Sequence, residues 1–205
     1  QDISKVDSEA IQVAQPIMTL NSSYSLTGDN LVMANETVLF VVNVNNPETV
    51  TLQYQIDDPQ QVLITSTNDQ DVILILSDSK LKAISLMGED IPLGIADEDI
   101  MFVSANGLEF AYVTSSLPTS VNVGRIGTFG SITYEMNATA PIEQDLVLEQ
   151  WGTPVDMANA SITQIEFDTS HIVSSINVSS VDRLVLLNRV SNEQWIVGDG
   201  KYSAV

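Results

Sequence analysis

The stretch Ile100-Met-Phe-Val-Ser-Ala-Asn-Gly-Leu-Glu-Phe-Ala-Tyr-Val-Thr114 carries the clearest structural signal in the chain. An apolar run over residues 100–104 is followed by Asn106 and Gly107, and residues 108–114 then alternate between apolar and other side chains. Asn and Gly both tolerate the positive φ angle that a two-residue hairpin turn demands. The stretch therefore predicts an antiparallel β-hairpin with its turn at Asn106-Gly107.

Strand patterns recur on both sides of this hairpin. Residues 50–56 alternate between apolar and polar side chains, which is typical of a half-buried strand. Residues 72–76 are continuously apolar, and this pattern indicates a strand covered on both faces. Further strands are predicted at residues 38–44, 62–65, 120–123, 131–137, 146–149, 162–167, 183–190, 195–197 and 202–205.

Roughly a dozen short strands, separated by turns every 8 to 12 residues, predict an all-β fold. Within this class the pattern favours a β-sandwich or a jelly roll, and no internal repeat of fixed period is visible. Helix is expected only near residues 77–83 and 156–160. The glycines at positions 124, 127 and 130 predict a β-bulge or a tight loop.

The domain organisation is predicted from the N-terminal composition. Residues 1–35 are expected to form an extended arm, because Pro16 interrupts their one apolar stretch and proline removes a backbone donor. The alternative is that this segment is the first strand of the sheet. Residues 36–205 are expected to form the β-sandwich or jelly-roll domain, with a candidate sub-boundary at residues 117–119.

The charge balance excludes several classes of partner. The chain has 27 Asp and Glu against 7 Lys and Arg, which gives a net charge of −20. The cations are dispersed, whereas nucleic-acid binding needs clustered Lys and Arg. Anionic membrane surfaces are disfavoured by the same sign of charge, and no apolar run approaches the ~18 residues of a membrane span. The acidity is also typical of halophilic proteins, because high salt screens the repulsion between their carboxylates.

Side chains suited to catalysis near neutral pH are scarce, since the chain has one His and no Cys. His171 follows Asp168 and Ser170, but neighbouring strand residues point to opposite faces and cannot form a catalytic triad. We expect His171 to lie in a surface loop. Carboxylate pairs for glycoside hydrolysis are not singled out from so many acids. The sequence therefore predicts a protein that is not an enzyme.

One acidic run is a candidate cation site. Asp97, Glu98 and Asp99 are consecutive, and Glu89 and Asp90 precede them by a few residues. Calcium takes six to eight oxygen ligands, which carboxylates supply. The run lacks the spacing and the glycine of an EF-hand loop, and a solvated acidic loop is the alternative. Ca²⁺ is the one candidate cofactor.

Five sequons are candidate N-glycosylation sites, and ordinary turn chemistry is the alternative explanation for them. Their asparagines are Asn21, Asn35, Asn137, Asn159 and Asn177. Trp151 and Trp195 are the candidate stacking platforms if the chain is a carbohydrate-binding module.

These observations predict a non-enzymatic structural subunit that forms a homo-oligomer or repeating assembly, alone or with other structural proteins. The first setting considered is a virion, as a jelly-roll capsid, tail or spike protein. The alternatives are a secreted surface-filament or surface-layer subunit, which would fit processing ahead of Gln1, and a carbohydrate-binding module. The expected location is the virion or the extracellular surface. Residues 1–20 and 202–205 are the predicted partner contacts, by arm exchange or strand addition.

Overall fold

A computed structural model describes residues 23–67, 70–138 and 157–199 of the chain. The all-β class is confirmed, because the described residues form sixteen strands in four antiparallel sheets. The only helical element among them is a single 3₁₀ turn at Met157–Asn159. No helix in this part of the chain is long and apolar enough to span a membrane.

The chain divides into two compact units. The first contains the residues up to Asp97 together with Ile126–Thr128. Its first sheet consists of β1 (Ser23–Thr27), β2 (Asn30–Ala34), β3 (Val38–Asn43) and β4 (Asn46–Gln55). Its second sheet consists of β5 (Pro59–Ser66), β6 (Asp71–Ser77), β7 (Lys80–Ser85) and β8 (Asp90–Ile91).

The second unit contains Glu98–Arg125 and the residues from Phe129 onward. Its first sheet consists of β9 (Ile100–Asn106), β10 (Glu109–Thr114), β11 (Ser120–Arg125) and β12 (Ser131–Glu135). Its second sheet consists of β13 (Ser161–Phe167), β14 (His171–Val178), β15 (Val181–Asn188) and β16 (Gln194–Asp199).

Every described sheet is a four-stranded meander, in which each strand pairs antiparallel with the next along the chain. A jelly roll instead requires Greek-key connections, which bring strands distant in sequence side by side. The described sheets have no such crossover. The all-β prediction is therefore supported, but its finer part, a jelly roll or sandwich, is not. The four sheets repeat the same strand order without repeating the same residues, so this repeat is not visible in the sequence.

Each unit has its own apolar core between its two sheets. In the first unit β2 and β3 contribute Val32, Ala34, Leu39 and Val41, which pack against residues of the second sheet that include Ile73. In the second unit the cluster draws on β10, β11, β13, β14 and β15. The alternation predicted from sequence thus points one face of most strands into a core.

Strand β6 is confirmed as a strand covered on both faces. All five residues from Val72 to Leu76 are buried, each at most 1% exposed. The predicted hairpin is confirmed as β9 and β10, but its turn is displaced by one residue. Asn106 pairs with Glu109, so the two loop residues are Gly107, with φ of 59°, and Leu108.

The predicted boundaries need correction. Residues 23–34 of the predicted arm form β1 and β2, which pair with each other and with β3, so they belong to the first sheet. Residues 1–22 lie outside the described residues, as do residues 146–149 and 202–205. Residues 36–205 divide between two units at Asp97 and Glu98, whereas residues 117–119 lie within the second unit.

At two further places the predicted secondary structure is wrong. The segment where a helical turn was expected, residues 77–83, is the β6–β7 hairpin, whose Asp78 and Ser79 both have positive φ. His171, which we expected in a surface loop, is the first residue of β14. Asp78 and Ser79 ahead of β7, and Ser174 and Ser175 within β14, are residue types typical of turns, and they obscured both strands.

Gly124 lies inside β11, where it is paired with Phe110 of β10. An added Cβ at Gly124 would lie 2.6 Å from Cζ of Phe110, so the glycine makes room for the ring. Gly127 and Gly130 have φ of 76° and 95°, as expected for tight loops. The tight-loop prediction is thus confirmed for these two glycines and is wrong for Gly124.

Candidate functional site

The longest of the described strands lies at the edge of the first sheet. Strand β4 is the terminal strand of the order β1-β2-β3-β4 and pairs on one side only. It is ten residues long, whereas the terminal strand β8 of the second sheet has two residues. A long unpaired edge is a template for strand addition by another chain.

The composition of β4 divides it into two halves. Its first half contains Pro47 and Glu48, and the pairing with β3 is irregular here, as Val42 pairs with Val50 and Asn43 with Asn46. Proline, charge and bulges are the features that make an edge unreceptive to pairing. Residues 50–55, Val-Thr-Leu-Gln-Tyr-Gln, contain no proline and no charged residue, and their one irregularity is the register shift at Thr51. We call these six residues the β4 edge.

Side chains on the two faces of the β4 edge have different surroundings. Leu52 and Tyr54 pack against the first unit's core and hold the strand in place. Thr51, Gln53 and Gln55 are exposed on the opposite face. Val50 is 44% exposed. The β4 edge therefore combines an anchored backbone with an uncharged, solvent-facing surface.

The residues of the predicted calcium site are all exposed. Asp97 Oδ1 lies 2.8 Å from Nζ of Lys80, and this ion pair lowers the pKa of Asp97 below its usual value. Glu98 belongs to the other unit. Within the described residues no group of three or more acidic, His or Cys side chains is arranged to hold a metal ion. Calcium binding by Asp97, Glu98 and Asp99 stays a prediction.

His171 and Asp168 are used in a tight turn between β13 and β14. Asp168 Oδ1 accepts hydrogen bonds from the backbone N–H groups of Ser170, at 2.6 Å, and His171, at 2.7 Å. These two bonds lower the pKa of the Asp168 carboxyl. The imidazole Nδ1 lies 3.8 Å from the same oxygen. The arrangement shapes the β13–β14 connection.

The four described sequon asparagines differ in exposure and in hydrogen bonding. Asn35 accepts backbone hydrogen bonds from Thr37 and Val38 through its Oδ1. Asn137 and Asn159 are exposed. Asn177 is partly buried, and its Nδ2, the atom to which a glycan would be attached, donates to Asp182 Oδ1 at 2.9 Å. Asn21 lies outside the described residues. Glycosylation of all five remains a prediction.

Trp195 is partly buried in β16, where it pairs with Leu186 of β15. Carbohydrate-stacking side chains expose a ring face, and Trp195 offers only part of one. Trp151 lies outside the described residues.

A buried ion pair in the second unit was not anticipated from sequence. The Arg189 guanidinium donates from Nη1 to Glu109 Oε2 at 2.8 Å and from Nη2 to Oε1 at 3.0 Å. Nη1 also donates to the carbonyl oxygen of Asp168 at 2.6 Å. The hydrogen bond to Glu109 raises the pKa of Arg189, so the cation is permanent. This cluster joins the loop after β15 to β10 and the β13–β14 turn.

Two further bonds connect β9 to β13 beside this cluster. Ser104 Oγ donates to Glu166 Oε2 at 3.0 Å, and Asn106 Nδ2 donates to the carbonyl oxygen of Phe167 at 3.1 Å. The side chains in this region are thus engaged with one another. Their arrangement explains how the sheets of the second unit are held together. No sequence signal could have revealed these pairs, because each joins residues that are far apart along the chain.

Comparison with known proteins gives a fold likeness alone. No protein-family model and no curated protein matches the chain. Similar solved structures include the computationally designed Ika4 protein, at 12% identity and a TM-score of 0.50, over 86% of this chain and 90% of that one. The N-terminal domain of Nup159 is similar at 9% identity and a TM-score of 0.52, over 85% of this chain and 46% of that one. The Kuenenia stuttgartiensis hydrazine synthase is similar at 10% identity and a TM-score of 0.55, over 86% of this chain and 47% of that one.

This chain spans a little under half the length of the last two structures. At such low identity the likeness concerns the arrangement of strands and not activity.

Proposed function

We propose that this protein is a non-enzymatic structural subunit, built of propeller-type blades, that joins a repeating assembly by strand addition at the β4 edge. A four-stranded meander repeated along the chain is the blade topology of β-propellers. Each described sheet has this topology. The likeness to solved structures supports the blade assignment, since the neighbours include β-propellers.

One observation carries the assembly proposal: the β4 edge is uncharged and pairs with no further strand among the described residues, in a protein with a net charge of −20. Segments of six or seven residues with high β-propensity, low charge and no proline are those that pair most readily with another strand. Residues 50–55 fit this description. The acidic Asp57 and Asp58 follow after Ile56 and limit how far a paired strand extends.

The charge of the chain sets the conditions for assembly. Copies that carry −20 each repel one another. Salt at about 1 M shortens the Debye length to ~3 Å, which removes most of this repulsion between exposed charges. Assembly through an uncharged edge is therefore favoured by salt. The virion and the cell surface are the two proposed settings for such a subunit, and electron microscopy of native material would distinguish them.

The test compares the protein with an edge variant and a charge-matched control. Thr51→Lys/Gln53→Lys places two cations on exposed positions of the β4 edge. Phe129→Lys/Val190→Lys adds the same charge at positions that are 86% and 88% exposed and lie outside every described strand. Sedimentation velocity in NaCl from ~0.1 to ~1 M measures assembly over the range where screening changes most.

We expect the protein and the control variant to assemble as salt rises, and the edge variant to stay monomeric. A parent protein that is monomeric at every salt concentration would reject the proposal. Assembly of the edge variant to the same extent as the control would instead reject the role of the β4 edge.

A further inference from the structure

The first unit contains a cavity of about 400 Å³ beside its core. It lies where the chain leaves β4 and crosses to β5, against the β6–β7 hairpin. Pockets for small molecules range from ~300 to ~1,000 Å³. The residues around it are Gln55, Ile56, Asp57, Ile75, Ser77, Lys80 and Lys82.

The register of the β6–β7 hairpin places four of these side chains on one face. Ile75 pairs with Lys82 and Ser77 pairs with Lys80, so the four form a two-by-two block. Ile75 also belongs to the first unit's core, which makes the floor of the cavity apolar and well packed. Ile56 adds a second apolar wall from the crossing segment.

The two lysines of this block have different partners. Lys80 is paired with Asp97 at 2.8 Å. Lys82 instead lies 3.2 Å from the hydroxyl of Tyr54 and 4.7 Å from the centroid of its ring. In the described part of the chain no carboxylate lies within ion-pair distance of Lys82. An ammonium held over an aromatic ring is oriented without being neutralised.

The crossing segment is held in place by backbone bonds, so the cavity is formed without a ligand. Ile56 N–H donates to the carbonyl oxygen of Thr37 at 3.0 Å, and Asp58 N–H donates to that of Glu36 at 2.7 Å. Ser77 Oγ donates to the carbonyl oxygen of Asp57. Preorganised donors and walls reduce the ordering cost of binding.

We propose that this cavity binds a small organic monocarboxylate, with the carboxylate on Lys82 and an apolar portion against Ile56. A cation without a counterion in a chain of net charge −20 is the one feature here that attracts an anion. Gln55 also lines the cavity. A dianion is disfavoured, because Lys82 provides a single uncompensated charge and the carboxylate of Asp57 also lines the cavity.

The test is an NMR titration with benzoate, in which the backbone and methyl resonances are monitored. Benzyl alcohol and inorganic phosphate are the comparison probes, since they lack the charge and the apolar part respectively. Lys82→Met retains the aliphatic stem and removes the charge. Arg125→Gln is the matched control, because it removes one positive charge from an exposed residue of the other unit.

We expect benzoate to shift the Ile75 and Ile56 resonances in a saturable manner. Lys82→Met should weaken binding by about tenfold or more, as expected for loss of a charged hydrogen bond, and Arg125→Gln should not. Asp57→Asn should strengthen binding by removing a like charge. Equal binding of benzyl alcohol or of phosphate, or unchanged affinity in Lys82→Met, would overturn the proposal. The titration is done at low salt with the monomer, so its result is separate from the assembly test.

Discussion

Arg189 and Glu109 form a two-point ion pair that joins residues 80 positions apart in the sequence. The Arg189 side chain is 8% exposed and that of Glu109 is 32% exposed, so the pair is largely withdrawn from water. A buried charge that loses its partner is costly, because desolvation is no longer offset. The pair therefore constrains how β10 packs beside the end of β15.

Arg189→Met should lower the free energy of unfolding of the second unit by about 2 kcal/mol. Breaking a fully buried pair costs about 3–5 kcal/mol, and the partial exposure of Glu109 reduces this value. Urea denaturation measures the change. Arg189→Lys should also destabilise, since an ammonium cannot make both bonds. An effect no larger than that of Glu193→Gln, an exposed control, would contradict this assignment.

Gly124→Ala should destabilise the second unit by ~1–3 kcal/mol, the usual range for overpacking. Its Cβ would approach the Phe110 ring to 2.6 Å. Gly198→Ala is the control, because its Cβ would approach Leu184 no closer than 3.3 Å, at Cδ1. Adding Phe110→Leu to Gly124→Ala should recover part of the loss. Thermal unfolding would measure all variants, and equal melting temperatures for the two alanine variants would refute the argument.

Replacement of serine by alanine should have opposite effects on stability at positions 174 and 104. Ser174 is completely buried, and its Oγ has no hydrogen-bond partner within the described part of the chain. Ser174→Ala removes an unsatisfied hydroxyl and should raise the free energy of unfolding by about 1 kcal/mol. Ser104→Ala removes the donor to Glu166 and should lower it by a similar amount. Chemical denaturation measures both changes in the free energy of unfolding. If the two changes have the same sign, the hydrogen bonding of the two hydroxyls does not decide their effect on stability.

The Asp168 carboxyl should make stability depend on pH in the acid range. Its pKa is lowered from 3.8 by the backbone bond from Ser170 first, and then by that from His171. A carboxyl with a lowered pKa stabilises the fold above its unfolded-state pKa, and this contribution is lost as pH falls through the folded-state value. Asp168→Ala should therefore be destabilised relative to the parent at pH ~7, and less so at pH ~2.

The control for this experiment is Glu98→Ala. It removes the same charge from an exposed side chain, and so reports the effect of net charge alone. The free energies of unfolding of Asp168→Ala and the parent should approach each other as the pH is lowered. If they do not, the Asp168 carboxylate does not contribute to stability in this way.

The sequence predicted the individual strands better than their partners. Residues 72–76 were recognised as doubly covered because five consecutive apolar side chains can only be buried on both faces of a strand. The β9–β10 hairpin was recognised from its glycine, although Gly107-Leu108 and not Asn106-Gly107 forms the loop. Strands β1, β2, β7, β8 and β14 were not predicted individually, and the serines of β1 and β14 are residues typical of turns.

The candidate sites depended almost entirely on tertiary contacts. The local sequence does not single out Lys82, whose position over Tyr54 arises because strands β7 and β4 of two different sheets meet. The free edge of β4 likewise requires knowing that no described strand follows it in the sheet. Neither property is written in the local pattern of side chains.

By itself the sequence determined that the chain is all-β, acidic and poor in catalytic groups, because period-two alternation and composition are local properties of the residues. Only the tertiary structure decided that the strands form four meanders in two units, that Arg189 meets Glu109, and that Lys82 faces a cavity without a carboxylate partner among the described residues. The physical reason is that alternation specifies which face of a strand is buried, but not which other strand covers it.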